Sequence, residues 1–277
     1  MHRILSTCRE LAAAHRVAYL AVVAGALAVA FSGCKTETEA IPETGADYYP
    51  VAVGRFWTYA VADTVWGQSS YANGQVVRGS ITVNNSQQRE TITETFTDAA
   101  GNTAYRMVRA KRPTAADAWT NDSVFVVTAN QQFVATNRSN VRTLEVVFPI
   151  KEGGKWHYSA FDNSVPGAED TAKTRQYSRL GQPFTTGGRA GLPVVTYPST
   201  VTTTNIGPAA DSNVLTMRSY QQVFAKGIGP VFRTRRTLEY FNYADPLNNY
   251  NQVFPPNAYS LGSFAHRETL IDYGPKQ

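Results

Sequence analysis

A chain of 277 residues with a formal net charge of +5 and 43% hydrophobic residues is long enough to bury a sizeable core. The positive surplus is too small to demand a nucleic-acid partner, and three of the arginines behind it, Arg3, Arg9 and Arg16, fall within the first 16 residues. With only two cysteines, Cys8 and Cys34, a disulfide-rich scaffold is excluded.

Those three arginines face a single acid, Glu10, and lead into Val17–Phe31, an uncharged run rich in Ala, Val and Leu. A membrane-crossing helix needs about 20 apolar residues, whereas the apolar part of a secretory signal runs about 7–15. The run ends in Phe31-Ser32-Gly33-Cys34, which resembles the lipobox of bacterial lipoproteins, with Phe31 where Leu is more usual. The resemblance implies cleavage after Gly33, so that residues 1–33 are a signal peptide, and a lipid on the Cys34 thiol. An uncleaved anchor or an ordinary secretory signal are the alternatives, and both also put the body of the protein outside the cytoplasm. Cys8 leaves with the signal, so Cys34 is the one cysteine of a mature chain of 244 residues and charge +3, with no disulfide to form. Lys35 follows it in place of the Asp of an inner-membrane retention signal, which favours the outer membrane. The stretch Lys35-Thr36-Glu37-Thr38-Glu39 is similar to the surface-exposure tether of some Bacteroidetes lipoproteins. Residues 34–46 then read as a lipidated tether.

Residues 47–277 read as a single β domain. Thr, Val, Tyr and Phe abound, Gly and Pro punctuate every 8–20 residues, and no window beyond about 12 residues holds a 3.6-residue period. A pattern occurs twice at an offset of 99: Tyr49-Pro50, Gly54, Trp57, Tyr59 and Asp63 match Phe148-Pro149, Gly153, Trp156, Tyr158 and Asp162. In each copy a Gly turn precedes a strand on which Trp and Tyr, two apart, share one face. The halves are 47–146 and 147–277, and the four rings are candidates for core packing or for stacking on a ligand.

Strands are expected at Val76–Val83, Glu90–Phe96, Ala104–Ala110, Val124–Thr128, Phe133–Thr136 and Arg142–Phe148 in the first half. The second half offers Thr174–Leu180, Pro193–Tyr197, Val214–Val223, Val231–Phe241 and His266–Tyr273. In Tyr105-Arg106-Met107-Val108-Arg109 the two arginines are not two apart, which leaves the register open. Asn242–Ser260, dense in Asn, Tyr and Pro, reads as a long irregular loop.

The repeated aromatic-Pro-x-x-x-Gly-x-x-Trp-x-Tyr motif, with Gly181-Gln182-Pro183-Phe184 and Phe224-Ala225-Lys226-Gly227-Ile228-Gly229-Pro230-Val231, resembles a set of uncharacterised Bacteroidetes outer-membrane lipoproteins. It is more distantly similar to the periplasmic TapB-like and DUF3108 families. The resemblance covers about residues 47–241 and implies an antiparallel, partly closed sheet or half-barrel like those of lipocalins and lipoprotein carriers. It implies no activity.

Chemical motifs are sparse. Gly227-Ile228-Gly229 precedes Pro230 and a strand, where a phosphate loop needs a helix N-terminus, so it reads as a hairpin. Gly153-Gly154-Lys155-Trp156 lacks the Ser or Thr of a P-loop. Only His157 and His266 survive processing, and no cysteine is left to join them at a metal, so no metal or other cofactor is expected. No nucleophile elbow occurs. Asp63 and Asp162 hold equivalent positions near a strand end, where Asp closes turns, and no catalytic residue is assigned. Arg233 and Arg235, close to Arg236 and Lys226, share a strand face that is either solvated or in contact with anionic headgroups or glycans. The expected function is a non-enzymatic binding module, membrane-attached through Cys34, for an apolar small molecule or an envelope protein. The alternative is an accessory subunit of a cell-surface complex.

Overall fold

The computed structural model of the protein describes residues 44–99, 101–159, 161, 174–189, 191–205, 213–245 and 247–275. Cys34, most of the tether and Asp162 lie outside the described residues.

A single 3-10 turn, Ala46–Tyr48, leads into β1 (Phe56–Trp66), a short hairpin of β2 (Ser70–Ala72) and β3 (Gln75–Val77), and a meander of long strands. These are β4 (Ile81–Thr97), β5 (Thr103–Arg112), β6 (Thr120–Ala129), β7 (Phe133–Arg138) and β8 (Val141–Val147). The second half runs through β9 (Lys155–His157), β10 (Thr174–Thr186), β11 (Val195–Asn205), β12 (Thr216–Ala225) and β13 (Gly229–Glu239). A second hairpin of β14 (Tyr243–Asp245) and β15 (Asn251–Val253) precedes the last strand, β16 (Phe264–Gly274).

Twelve of these strands form one antiparallel sheet in the order β8-β7-β6-β5-β4-β1-β16-β13-β12-β11-β10-β9. Each half is thus a six-stranded meander, and β1 pairs with β16 to join them. At the other junction β8 and β9 nearly complete the ring. The Leu144 N–H donates to the Tyr158 carbonyl at 2.7 Å. The Tyr177 hydroxyl grips Val147, accepting from its N–H at 2.8 Å and donating to its carbonyl at 3.0 Å. The all-β, nearly closed barrel with two related halves is therefore what the chain adopts.

The halves repeat in detail. The Gly54 N–H donates to the Ile92 carbonyl and the Ile92 N–H to the Arg55 carbonyl, both at 2.8 Å. Ninety-nine residues on, the Gly153 N–H donates to Tyr177 at 3.0 Å, and the Tyr177 N–H returns to Gly154 at 2.9 Å. Both turn glycines hold positive φ, +86° at Gly54 and +75° at Gly153, a conformation a side chain would strain.

The interior has two levels. At one end, Trp57, Tyr59, Ile92, Met107, Phe224 and Leu270 close the barrel with a plug of fully or nearly fully buried side chains. The β12–β13 hairpin seals this end. The Trp57 indole N–H donates to the Ile228 carbonyl at 2.7 Å and the Tyr59 hydroxyl to the Pro230 carbonyl at 3.0 Å. Gly229 is required here, because a Cβ would lie 2.8 Å from the Trp57 ring nitrogen. Asp47 of the 3-10 turn also meets this hairpin, its carbonyl accepting from the Gly227 N–H at 2.8 Å, so the chain enters the barrel at its closed end.

Several local expectations are corrected. Val76–Val83 divides between β3 and β4, and β11 runs well past Tyr197 through a Thr-rich segment to Asn205. Asn242–Ser260 is not wholly irregular, since it holds the β14–β15 hairpin, whose Tyr243 stacks on Tyr71 of β2 at 3.9 Å. Asp63 closes no turn but sits within β1 opposite His266. On the outer wall β1 presents Thr58, Ala60 and Ala62, and β4 presents Asn85, Gln87 and Arg89, alternating with their inward residues. Hydrocarbon around a membrane barrel requires an apolar outer band; these stretches of β1 and β4 do not supply one.

Trp57→Ala removes about as much apolar surface as a core substitution can and leaves the Ile228 carbonyl without its donor. It should lower unfolding stability by about 3–5 kcal/mol in urea titrations. Val65→Ala, at an exposed position, should shift the midpoint little.

Candidate functional site

Above the plug the inward residues change character. Along six neighbouring strands the same alternate positions pass from apolar to charged or polar toward the open end. They read Trp57-Tyr59-Val61-Asp63 on β1, Ile92-Glu90-Gln88 on β4 and Met107-Arg109-Lys111 on β5. The same passage is made by Leu270-Glu268-His266 on β16, Val231-Arg233-Arg235 on β13 and Phe224-Gln222-Tyr220 on β12. The result is a lumen with two connected bays of about 780 and 540 Å³, which share Thr143, Glu145, Tyr220 and Arg235.

The larger bay is built on Arg233. Its guanidinium bridges two carboxylates, at 2.8 Å from Glu268 and at 3.0 and 3.1 Å from the two oxygens of Glu90, and lies 5.1 Å from the centre of the Tyr59 ring. Glu90 and Glu268 are each only 5% exposed. Buried carboxylates cost several kcal/mol in lost hydration unless charge and hydrogen bonds replace the water. Gln88 adds a donor, with its amide 3.1 Å from Glu268 and 3.4 Å from Glu90. His266 completes the chain, its Nε2 3.0 Å from Glu268 and its Nδ1 2.5 Å from Asp63. Only an imidazolium donates from both nitrogens.

The titration shifts follow. The hydrogen bond His266 donates to Glu268 raises the His266 pKa above its ordinary 6.5, burial opposes this, and the Glu268 charge and Asp63 reinforce it. Burial alone would raise Glu268, yet the Arg233 charge and the His266 hydrogen bond outweigh it and hold the carboxyl below its ordinary range. Burial pushes the Tyr59 hydroxyl well above its usual value, so it stays a donor.

A second arginine pair flanks this network. Arg109 and Arg138 both lie over the Phe125 ring, at 5.2 and 5.0 Å. Arg109 is paired with Asp122. Arg138 makes no ion pair among the described residues, and its pKa is lowered by burial and by the like charge of Arg109. In the smaller bay, Arg175 is clamped between Tyr158 and Tyr220, with its guanidinium 4.3 and 3.9 Å from the two ring centres.

Charge divides unevenly between the bays. The larger carries five basic residues, Arg109, Lys111, Arg138, Arg233 and Arg235, against the four acids Asp63, Glu90, Glu145 and Glu268. Among the described residues the smaller is lined by four arginines and by one acid, Glu145. Among the described residues, no three His, Cys, Asp or Glu side chains converge as a metal site. The Asp63 and Glu268 carboxylates occupy both nitrogens of His266, which makes it a strut between carboxylates rather than a base facing an open site.

Of the four rings singled out by the repeat, Trp57, Tyr59 and Trp156 are buried in packing, and the Trp156 indole N–H donates to the Leu144 carbonyl at 3.0 Å. Tyr158 differs, because it lines the smaller bay. Arg233 and Arg235 do share a face, as their spacing indicates, but it is the lumen wall rather than an outer solvated strand face, since β12 and β16 flank them with Gln222, Tyr220, Glu268 and His266. His157 is exposed on β9, away from any cluster. Glu90, Glu268, Arg109, Arg138 and Arg175 escape a motif search because each belongs to no motif; their signal is the alternation continuing with charges where apolar residues are expected. The register at Met107 resolves with Arg109 inward and Arg106 outward, where Arg106 pairs with Glu94 at 3.1 Å.

The raised His266 pKa contributes stability that is complete below about pH 6.5 and is lost as pH rises through the folded value. The lowered Glu268 pKa contributes stability that is present above the ordinary carboxylate range and is lost as pH falls through the folded value. Melting temperatures should therefore peak between these limits. In His266→Gln the decline on the alkaline side of pH 6.5 should flatten while the acid limb remains. No family model, no curated protein and no solved structure matches the chain.

Proposed function

We propose that this protein is a lipid-anchored envelope binding module that holds a polar, hydrophilic ligand in the lumen of its barrel. The observation that carries the reading is the pair of connected bays, lined by guanidinium, carboxylate, amide and hydroxyl groups above an aromatic plug. Their volumes lie in the range of small-molecule sites. An apolar ligand, the expectation from the aromatic content alone, would strip water from these charges without replacing it. The aromatic residues that suggested it are mostly spent in the plug.

Attachment through Cys34 agrees with the geometry in two ways. The outward stretches 58–62 of β1 and 85–89 of β4 lack the apolar band that hydrocarbon requires. The Ala46–Tyr48 turn at the start of the described chain also lies at the closed end, bonded to the β12–β13 hairpin. A second reading, an accessory subunit of a surface complex, draws on the exposed apolar side chains Leu247, Tyr250 and Leu261 beside the β14–β15 hairpin, at 93%, 71% and 70% exposure.

Cys34→Ser should yield unacylated protein in the soluble fraction; the same variant membrane-bound at wild-type level would contradict lipid anchoring. For binding, native mass spectrometry of the intact protein should show a co-purified hydrophilic adduct that is lost when Arg138 and Arg235 are both changed to Glu. A lipid adduct indifferent to these changes would contradict a polar lumen.

A further inference from the structure

We infer that the smaller bay, formed by the second half of the barrel, is an oxyanion-binding subsite for a ligand carrying phosphate or carboxylate groups; this rests on the lumen being the binding site. Four arginines from three strands line it, Arg175 on β10, Arg218 on β12, and Arg235 and Arg236 on β13. Arg218, Arg235 and Arg236 make no ion pair among the described residues, in contrast to Arg233 a few residues away, which is saturated by two carboxylates.

Among the described residues the acid that lines the bay is Glu145, and it is already engaged. It accepts the Thr136 hydroxyl at 2.8 Å and the Thr143 hydroxyl at 2.9 Å. A carboxylate so occupied neutralises only part of the surrounding charge, and the bay keeps a positive field in a concave wall, which concentrates anions. Arg175 is also fixed in advance. Stacked between Tyr158 and Tyr220, its guanidinium forms a fixed part of the wall beside Arg218 and Arg235.

The chemistry therefore favours a ligand with two or more negative charges. A neutral saccharide would find hydroxyl partners here but would bring no counter-charge to Arg218 and Arg235. The division of labour also follows the repeat. The equivalence of Ile92 with Tyr177 makes Glu90 of the first half the counterpart of Arg175 in the second, so an acid in the ion network is matched by a base in the bay.

The test is isothermal titration of the full chain, in detergent and at fixed ionic strength, with pyrophosphate, citrate and the neutral sugar maltotriose as probes. Pyrophosphate or citrate should bind, with affinity falling as salt rises, and Arg218→Gln with Arg235→Gln should weaken binding at least tenfold. Arg106→Gln, on the outer wall, should leave it unchanged. Preference for pyrophosphate identifies a phosphate ligand, and preference for citrate a carboxylate one. Maltotriose binding indifferent to the arginine changes, with neither anion bound, would overturn the oxyanion subsite and leave a polar lumen standing. Binding of none of the three, with the protein folded by circular dichroism and free of any co-purified adduct, would overturn both.

Discussion

A ring of twelve strands is wider than inward side chains can fill. Eight strands make an interior that side chains just pack, and wider rings leave space that must hold a plug, water or a ligand. In this barrel the end nearest the β12–β13 hairpin is filled by Trp57, Tyr59, Ile92, Met107, Phe224 and Leu270. Beyond them the inward positions become charged or polar. Every later feature depends on this division: the burial of Trp57 and Tyr59, the need for Gly229, and the ionic bridge that ties β4, β13 and β16 along one wall of the lumen.

Arg233 is the hinge between the two regimes. Beneath it lies the face of Tyr59, which belongs to the plug, and around it lie Glu90, Glu268 and Gln88, which begin the cup. Because Glu90 and Glu268 come from different halves of the chain, the bridge also locks the junction of the two meanders beside the β1–β16 pair. A network of this kind supplies rigidity and a defined charge pattern rather than much net stability, since lost hydration offsets most of the attraction. What it secures is a fixed wall against which an uneven charge distribution persists, balanced in the larger bay and cationic in the smaller.

The fold was legible in the chain to a large degree, and the site to a small one. Trp57-x-Tyr59 and its copy at Trp156-x-Tyr158 mark two related openings because aromatic pairs at a spacing of two on a strand must share a face. The strand segments in each half emerge from β-branched alternation. The short β9 and the hairpins β2–β3 and β14–β15 escape because three-residue strands carry no period. β11 runs past the expected Tyr197 because buried Thr200, Thr202 and Thr203 continue the sheet beyond Pro198 to Asn205.

The site was hidden for a physical reason. A half-buried strand is recognised by apolar residues on alternate positions, and lumen-facing Glu90, Arg109, Arg233 and Glu268 break that rule on the very face where it is expected to hold. Read alone, Arg233-x-Arg235 looks like an outer edge. Only the neighbours that the register supplies, His266 and Glu268 on one side and Tyr220 and Gln222 on the other, show it to be interior.

The most direct measurement is a crystal structure of the protein grown with pyrophosphate. Density for the anion between Arg218 and Arg235, with the Arg233 bridge to Glu90 and Glu268 intact, is the predicted result. A lumen filled by the protein's own loops, or an anion bound only on the outer wall, would contradict the binding cup.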